Sequence, residues 1–288
     1  MSNTMLRWLS RSEPHVPPAV PARRRETYCY LGDHRALTVT HRGHKIFLDT
    51  NDIGMTPHIA LDGVWEREVE MLLGRLLRPG AKAVEVGSNM GYHTLAMAEA
   101  IGAAGHIHAF EANPVVLPLL RATIAVNGFA PRVTLHPEAA LDTAGMVEFT
   151  SDPEHIGSGH LAVLGEGTNY SRRVSVKAVT LDEALQRRGP LDLLRMDAEG
   201  TEPQVLRGAA TLLRESPELV IVTEWSAPMM AARSDLGAMI FWLEEMGFRF
   251  WWLGAEARLE PVATAALPEL PHGEVIIARS LPGGLSPA

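Results

Sequence analysis

The chain has 288 residues, 46% hydrophobic and 21% charged, which is enough for one full α/β domain with a good core plus an appendage and too few for two large domains. A formal net charge of −8 argues against a general nucleic-acid binder, because phosphate backbones demand a basic face. The single cysteine, Cys29, rules out an intramolecular disulfide or a thiolate metal cluster; with no signal-peptide-like segment and no run near the roughly twenty apolar residues of a membrane span, the expected location is the cytoplasm.

Residues 1–25, with Pro17, Pro18 and Pro21 and no sustained periodicity, are expected to be a tail, and Arg23-Arg24-Arg25 within it reads as solvated charge. An extension over 26–78 follows. In it the alternation from Ala36 to Leu48 around Gly43 predicts a β-hairpin, and Trp65 to Leu77 predicts an amphipathic helix stopped by Arg78-Pro79-Gly80. The main domain is expected over 79–280: strand 83–87, helix 90–101, strand 106–111, helix 114–127 and strand 133–136. Such alternation means a parallel sheet with right-handed crossovers. Segments 146–150 and 174–179 read as extended, joined by a loop rich in Gly, Ser and His. The rest is read as strand 191–197, a helix, strand 219–224, helix 236–246, strand 248–253 and a last strand 274–278, before a tail at 281–288.

The first strand runs into Glu85-Val86-Gly87-Ser88-Asn89-Met90-Gly91, and the second ends in Phe110-Glu111. Gly87 and Gly91 let the backbone turn tightly beneath a ligand, and a carboxylate closing the second strand can accept both hydroxyls of a ribose. Dinucleotide-binding loops favour G-x-G-x-x-G. Here the pattern is acid-x-Gly-x-x-x-Gly, and an acid two residues before the first glycine repels a diphosphate and suits a cation. The sulfonium and ammonium of S-adenosylmethionine meet that requirement.

Four ordered blocks carry a family resemblance: Glu85–Tyr92, Phe110–Pro114, Val179–Glu183 and Leu191–Gly200. Together, over roughly Ile46 to Ala278, the chain resembles the FkbM family of S-adenosylmethionine-dependent methyltransferases. It departs from the usual pattern at Glu85 (for Asp), Ser88 (for Ala) and Ala112 (for Pro), and no departure removes a donor or acceptor. The resemblance implies a Rossmann-like class I methyltransferase fold, an α/β architecture with a seven-stranded, mostly parallel sheet and an antiparallel last strand. It also implies adenine beside Glu138-Ala139-Ala140 and a hydroxyl acceptor on a sugar, glycan or secondary metabolite.

The cofactor-binding set read here is Glu85, Gly87, Ser88, Asn89, Gly91, Tyr92, Glu111, Ala112, Glu138, Ala139 and Asp197, with Glu85 assigned to the cofactor's amino group, directly or through water, or alternatively to organising the backbone. Asp197 closes an otherwise buried strand next to the reacting methyl, and the expected base is one of Asp197, His155 and His160. Glu199, Glu224, Ser158 and Trp225 are assigned to the acceptor, Trp225 alternatively to the core. Glu199 alternatively caps the following helix; Trp65-Glu66 resembles the aromatic-Glu pair that precedes the first block in this family, which implies closure over the cofactor, and the alternative is packing of helix against sheet by Trp65. Three converging acids are ligands a divalent ion accepts, but nothing in the spacing demands one and none is expected. Three other readings stay open: an N-methyltransferase, a dinucleotide-dependent oxidoreductase and a non-catalytic cofactor-binding protein. The oligomeric state is open too, a homodimer included.

Overall fold

The computed structural model describes residues 28–152, 154–161, 172–186, 189–283 and 285. The expected tail 1–25 lies outside them. Strands β1 (Cys29–Gly32), β2 (Arg35–Val39) and β3 (Lys45–Asp49) form an antiparallel sheet in that order, β2 and β3 being the expected hairpin. Helices α1 (Met55–Asp62) and α2 (Arg67–Leu76) follow. Neither β1 nor α1 was foreseen. The extension is not a separate body: Ile46, Leu48 and Ile59 are fully buried in one cluster with Met90, Tyr92 and Leu95 of the main domain. The Phe47 amide also donates to Thr123 Oγ1 at 3.0 Å.

The main domain begins with β4 (Lys82–Val86), α3 (Tyr92–Ala100), β5 (His106–Phe110), α4 (Leu117–Val126) and β6 (Val133–His136), each near its predicted span. Next come β7 (Ala139–Ala140), β8 (Gly145–Asp152), β9 (His155–Leu161) and β10 (Arg172–Val179), a separate sheet ordered β7-β10-β8-β9. The loop expected after residue 150 is therefore corrected in part: 155–161 is a strand, paired antiparallel with β8. Glycine and serine conceal it, because they carry none of the alternation by which a strand is recognised.

The chain closes with α5 (Leu181–Ala184), β11 (Leu193–Met196), α6 (Glu202–Arg207), α7 (Ala210–Glu215), β12 (Val220–Trp225), α8 (Ala227–Ala231), α9 (Leu236–Glu245), β13 (Arg249–Leu253), β14 (Leu259–Val262) and β15 (Gly273–Ala278). Thr180 and Asp235 cap α5 and α9 by accepting from Glu183 N at 3.1 Å and Ala238 N at 2.8 Å, the chemistry their sequence spacing promises. The large sheet runs β14-β13-β15-β12-β11-β4-β5-β6. As expected, β15 inserts antiparallel, between β12 and β13. The count is corrected from seven to eight by β14, an edge strand whose Pro261 argues against a strand in sequence but costs little where one side needs no ladder bond.

Successive strand residues face opposite layers. Val84, Val86, Leu194, Met196 and Ile221 pack with Val205, Leu213 and Ile240 on one side. Ala83, Leu193, Val220 and Val222 pack with Leu72, Met97 and Leu120 on the other. Leu285 is buried in this second layer, so the expected tail at 281–288 is at least partly packed. Among the described residues no helix is long and apolar enough to cross a membrane.

Candidate active site

The carboxyl ends of β4, β5, β11 and β12 meet along one edge, where open α/β sheets bind ligands. After β4 the chain turns through Gly87 at φ +80° and Asn89 at φ +47° into α3. The Gly87 and Ser88 amides both donate to the Phe110 carbonyl, at 3.0 and 3.1 Å. A Cβ on Gly87 would stand 1.9 Å from the Asp197 carbonyl oxygen. Gly87→Ala is therefore expected to cost about 2–5 kcal/mol from the left-handed backbone and the overlap together, read as a lowered unfolding midpoint. An unchanged midpoint would show that this approach is not required.

Glu111 is pinned by the turn it faces. Its Oε2 accepts from the Asn89 amide and its Oε1 from the Asn113 amide, both at 2.7 Å. Each carboxylate oxygen can accept more than one bond, so capacity for a diol remains. Burial pushes Glu111 up to about 7 against the pull of those two amides, with Asp197 and Glu85 adding to the rise.

Two cavities share Gly87, Asn89 and Asp197 as a common wall. The first is lined by Phe110, Glu111, Ala112, Glu138, Ala139, Ala140, Phe149 and His160. The second, of about 380 Å³, is lined by Asp52, Trp65, Glu66, Ser88, Tyr92, His93, Arg195, Glu199, Glu224 and His272. One lobe thus sets apolar side chains around a fixed carboxylate, and the other is an acid-rich, anionic lobe in which Glu66 stays ionised while Glu199 and Glu224 hold protons.

Arg195 organises the anionic lobe. It stands beside Glu85 in the parallel β11–β4 register and is 3% exposed. Its Nη2 donates to Asp197 Oδ2 at 3.0 Å and to Glu66 Oε2 at 3.3 Å; its Nη1 donates to the Gly87 carbonyl at 3.2 Å and lies 3.8 Å from Glu85 Oε1. Burial opposes its charge, yet Asp197, Glu66 and Glu85 outweigh that and hold it protonated. Burial likewise works against an ionised Glu66, but the hydrogen bond and charge of His93 and the charge of Arg195 prevail and bring it down to about 2.

For the neighbouring acids burial prevails over their cationic neighbours. Burial raises Glu199 to about 8, helped by Asp197 and Glu202, and raises Glu224 to about 11, helped by Asp197, Glu199, Glu202 and Glu274. Asp197 is raised by burial in spite of Arg195. Oxygens of Asp197, Glu199 and Glu224 lie within 4.8 Å of one another, a set that protons, a ligand cation or a hard divalent ion could bridge.

With Glu111, Glu199 and Glu202 held near 7, 8 and 7 against an ordinary 4.5, the folded chain binds more protons than the unfolded chain across that window. The contribution of these three groups to stability is therefore fully present below about pH 4.5 and is lost as pH rises through about 8. Glu199→Gln, which cannot ionise, is expected to flatten the upper part of this fall in unfolding midpoints measured across it. The same slope in the variant would contradict the assignment.

Several residues named from sequence sit elsewhere. Glu85 is 0% exposed, lines neither cavity and accepts from the Thr94 hydroxyl beside Arg195, so its predicted contact with a cofactor amino group is replaced by an internal one. Trp225 is 0% exposed, and its indole donates to the Leu267 carbonyl at 3.0 Å, which makes it core in place of acceptor wall. His160 lines the first cavity, with Phe149 and Asp197. His155 and Ser158 fall on β9, with side chains outside the described residues. Gly91 lines neither cavity and acts through the turn: at φ +94°, a Cβ would come within 2.8 Å of Leu120 Cδ1. Ser88 and Tyr92 line the anionic lobe, the Tyr92 hydroxyl donating to Glu70 Oε2 at 2.5 Å. Ala112, Glu138 and Ala139 line the apolar one.

Arg195, His93, Asp52 and His272 were not foreseen. A lone arginine inside Leu193-Leu194-Arg195-Met196 is a legible anomaly, because a buried charge needs partners. His272 gives no local signal: the insertion of β15 sets its Nε2 3.4 Å from Glu224 Oε1.

A glycine turn after β4, a pinned acid after β5 and an acid after β11, on a sheet whose last strand inserts antiparallel, define the class I methyltransferase fold. The chain belongs to the FkbM family within it: the Methyltransferase FkbM domain matches residues 85–250, more than half of the sequence. Among curated proteins it is similar to the protein-L-isoaspartate O-methyltransferase of Hyperthermus butylicus, 35% identical over 66 residues (20% of this chain, 27% of that protein). It is similar also to the protein of the same name from Methanothrix thermoacetophila, 42% identical over 45 residues (16% and 21%). The chain thus spans about a quarter of the length of the curated relatives it matches. Among solved structures, an O-methyltransferase from Bacillus cereus in complex with SAH matches with a TM-score of 0.43 at 15% identity, over 74% of this chain and 80% of that one. An O-methyltransferase from Thermotoga maritima matches with a TM-score of 0.42 at 13% identity, over 85% and 78%.

Proposed function

We propose that this chain methylates a hydroxyl, on a sugar, glycan or secondary metabolite, with S-adenosylmethionine as donor. The observation that carries the reading is the two-lobed groove meeting at Asp197. Its apolar lobe suits an adenine, Glu111 retains acceptor capacity for a ribose diol, and the anionic lobe suits a cation and repels a diphosphate. Among the described residues Glu224 Oε2 is buried without a hydrogen-bond partner, as expected of a site that awaits one.

Phe110, Ala112, Ala139 and Ala140 would hold the adenosyl end, with Glu111 fixing the sugar. When bound, the donor supplies a methyl group already activated by its sulfonium. The protein's task is then alignment, exclusion of water and removal of one proton. Effective molarities for well-aligned reactants can lower a barrier by roughly 7–11 kcal/mol. Asp197 is suited to the proton: Arg195 holds Oδ2, which leaves Oδ1 to accept from the acceptor hydroxyl. Its raised affinity for protons brings it toward the range where a base works best. Glu199 and Glu224, protonated at neutral pH, can donate to acceptor oxygens.

The net charge of −8 supports a small-molecule or glycan acceptor over nucleic acid, and the single cysteine supports a reducing, cytoplasmic setting. Calorimetry with S-adenosylhomocysteine, followed by labelled-methyl transfer to a panel of polyhydroxylated acceptors, tests the reading. Tight binding of NAD(H) with none of S-adenosylhomocysteine would replace it by an oxidoreductase. Donor binding without transfer to any acceptor would leave a binding protein.

A further inference from the structure

We propose that Glu66, delivered by the N-terminal extension, is the anion that receives the amino group at the amino-acid end of the methyl donor. The inference rests on the methyl-donor reading and names the partner within that site which sequence alone had placed at Glu85.

Glu85 cannot take the part. It is fully buried, absent from both cavity walls and engaged with Thr94 and Arg195. Glu66 lines the anionic lobe together with Gly87, Ser88 and Asn89, the stretch of the glycine turn that borders it. Its two oxygens are used unequally. Oε2 is held by His93 Nε2 at 2.8 Å and Arg195 Nη2 at 3.3 Å, and among the described residues Oε1 accepts no hydrogen bond. The side chain is 29% exposed, so the free oxygen is reachable from the cavity and its orientation is locked from behind.

The local charge favours a cation. Glu66, Glu85 and Asp197 surround one guanidinium, an excess of negative charge in a site shielded from water, where a ligand ammonium interacts strongly. Glu66 stays ionised throughout the neutral range, as an ammonium acceptor must. Its backbone is held at φ +44° at the start of α2, a conformation that a non-glycine residue adopts at a cost, and that directs this side chain from the extension toward the glycine turn.

Calorimetry on the full chain separates this role from a structural one. Two probes suffice: S-adenosylhomocysteine, which carries the amino-acid end, and 5′-methylthioadenosine, which keeps the adenosyl thioether and lacks that end. Glu66→Gln preserves size and the acceptor for His93 and Arg195 and removes the charge. It should weaken S-adenosylhomocysteine by about 10- to 100-fold, the range of one hydrogen bond to a charged group, and leave methylthioadenosine unchanged. Glu66→Asp should keep part of the affinity. Equal weakening of both probes, or none of either, overturns the proposal. If the unaltered chain binds neither probe, the methyl-donor reading itself fails.

Discussion

Asp197→Asn should lower methyl-transfer turnover by about 10²–10⁴-fold, the usual contribution of a positioned base, with S-adenosylhomocysteine affinity changed only slightly. The asparagine keeps the shape and an oxygen for Arg195 Nη2, which now lies 3.0 Å from Oδ2, but it cannot accept a proton. Asp197 is the carboxylate that lines both cavities, on the wall they share. Rates measured against pH sharpen the test. If Asp197 is the base, turnover in the unaltered chain rises with pH as its carboxyl ionises, from above the ordinary aspartate range because burial has raised it, and this limb disappears in the variant. Full turnover in Asp197→Asn would assign the proton elsewhere, or indicate an amine acceptor that brings its own lone pair.

Arg195→Met is expected to be the most damaging change to stability. The methionine fits a buried strand position but leaves Glu66, Glu85 and Asp197 around an apolar side chain, and removing one member of a buried ion pair costs about 3–5 kcal/mol. For a chain of this size the unfolding midpoint should fall by roughly 6–20 °C. Lysine should rescue only in part, since one ammonium cannot reproduce a planar fork that reaches two carboxylates and the Gly87 carbonyl at once. The loss should shrink in acid, where the stranded carboxylates become neutral at little cost. A midpoint difference that does not depend on pH would mean that packing, and not charge, is what Arg195 provides.

The alternation of β4, α3, β5, α4 and β6 was legible because each segment carries its own period and its own stop, and the glycine turn with Glu111 was legible because glycine after one strand and an acid closing the next are read from the residues themselves. Asp197 was legible on the same edge because it closes an otherwise buried strand. By contrast, β9 hides behind glycine and serine, β14 behind a proline, and Glu85 looked like a cofactor ligand because a carboxylate in an apolar run announces that it needs a partner without saying which. The partner is Arg195, in register across β11 and 110 positions away, and Trp225 faces the core for an equally nonlocal reason.

By itself, then, the sequence determined the alternating strands and helices of the main sheet, the glycine turn after β4 and the identity of the acids along the sheet edge, since periodicity and backbone preference act over a few neighbouring residues. Only the tertiary structure decided which of those acids are open to a ligand, which share a guanidinium and which hold protons at neutral pH. Burial and charge pairing are set by whatever the fold brings within a few ångströms, and those neighbours lie far apart along the chain.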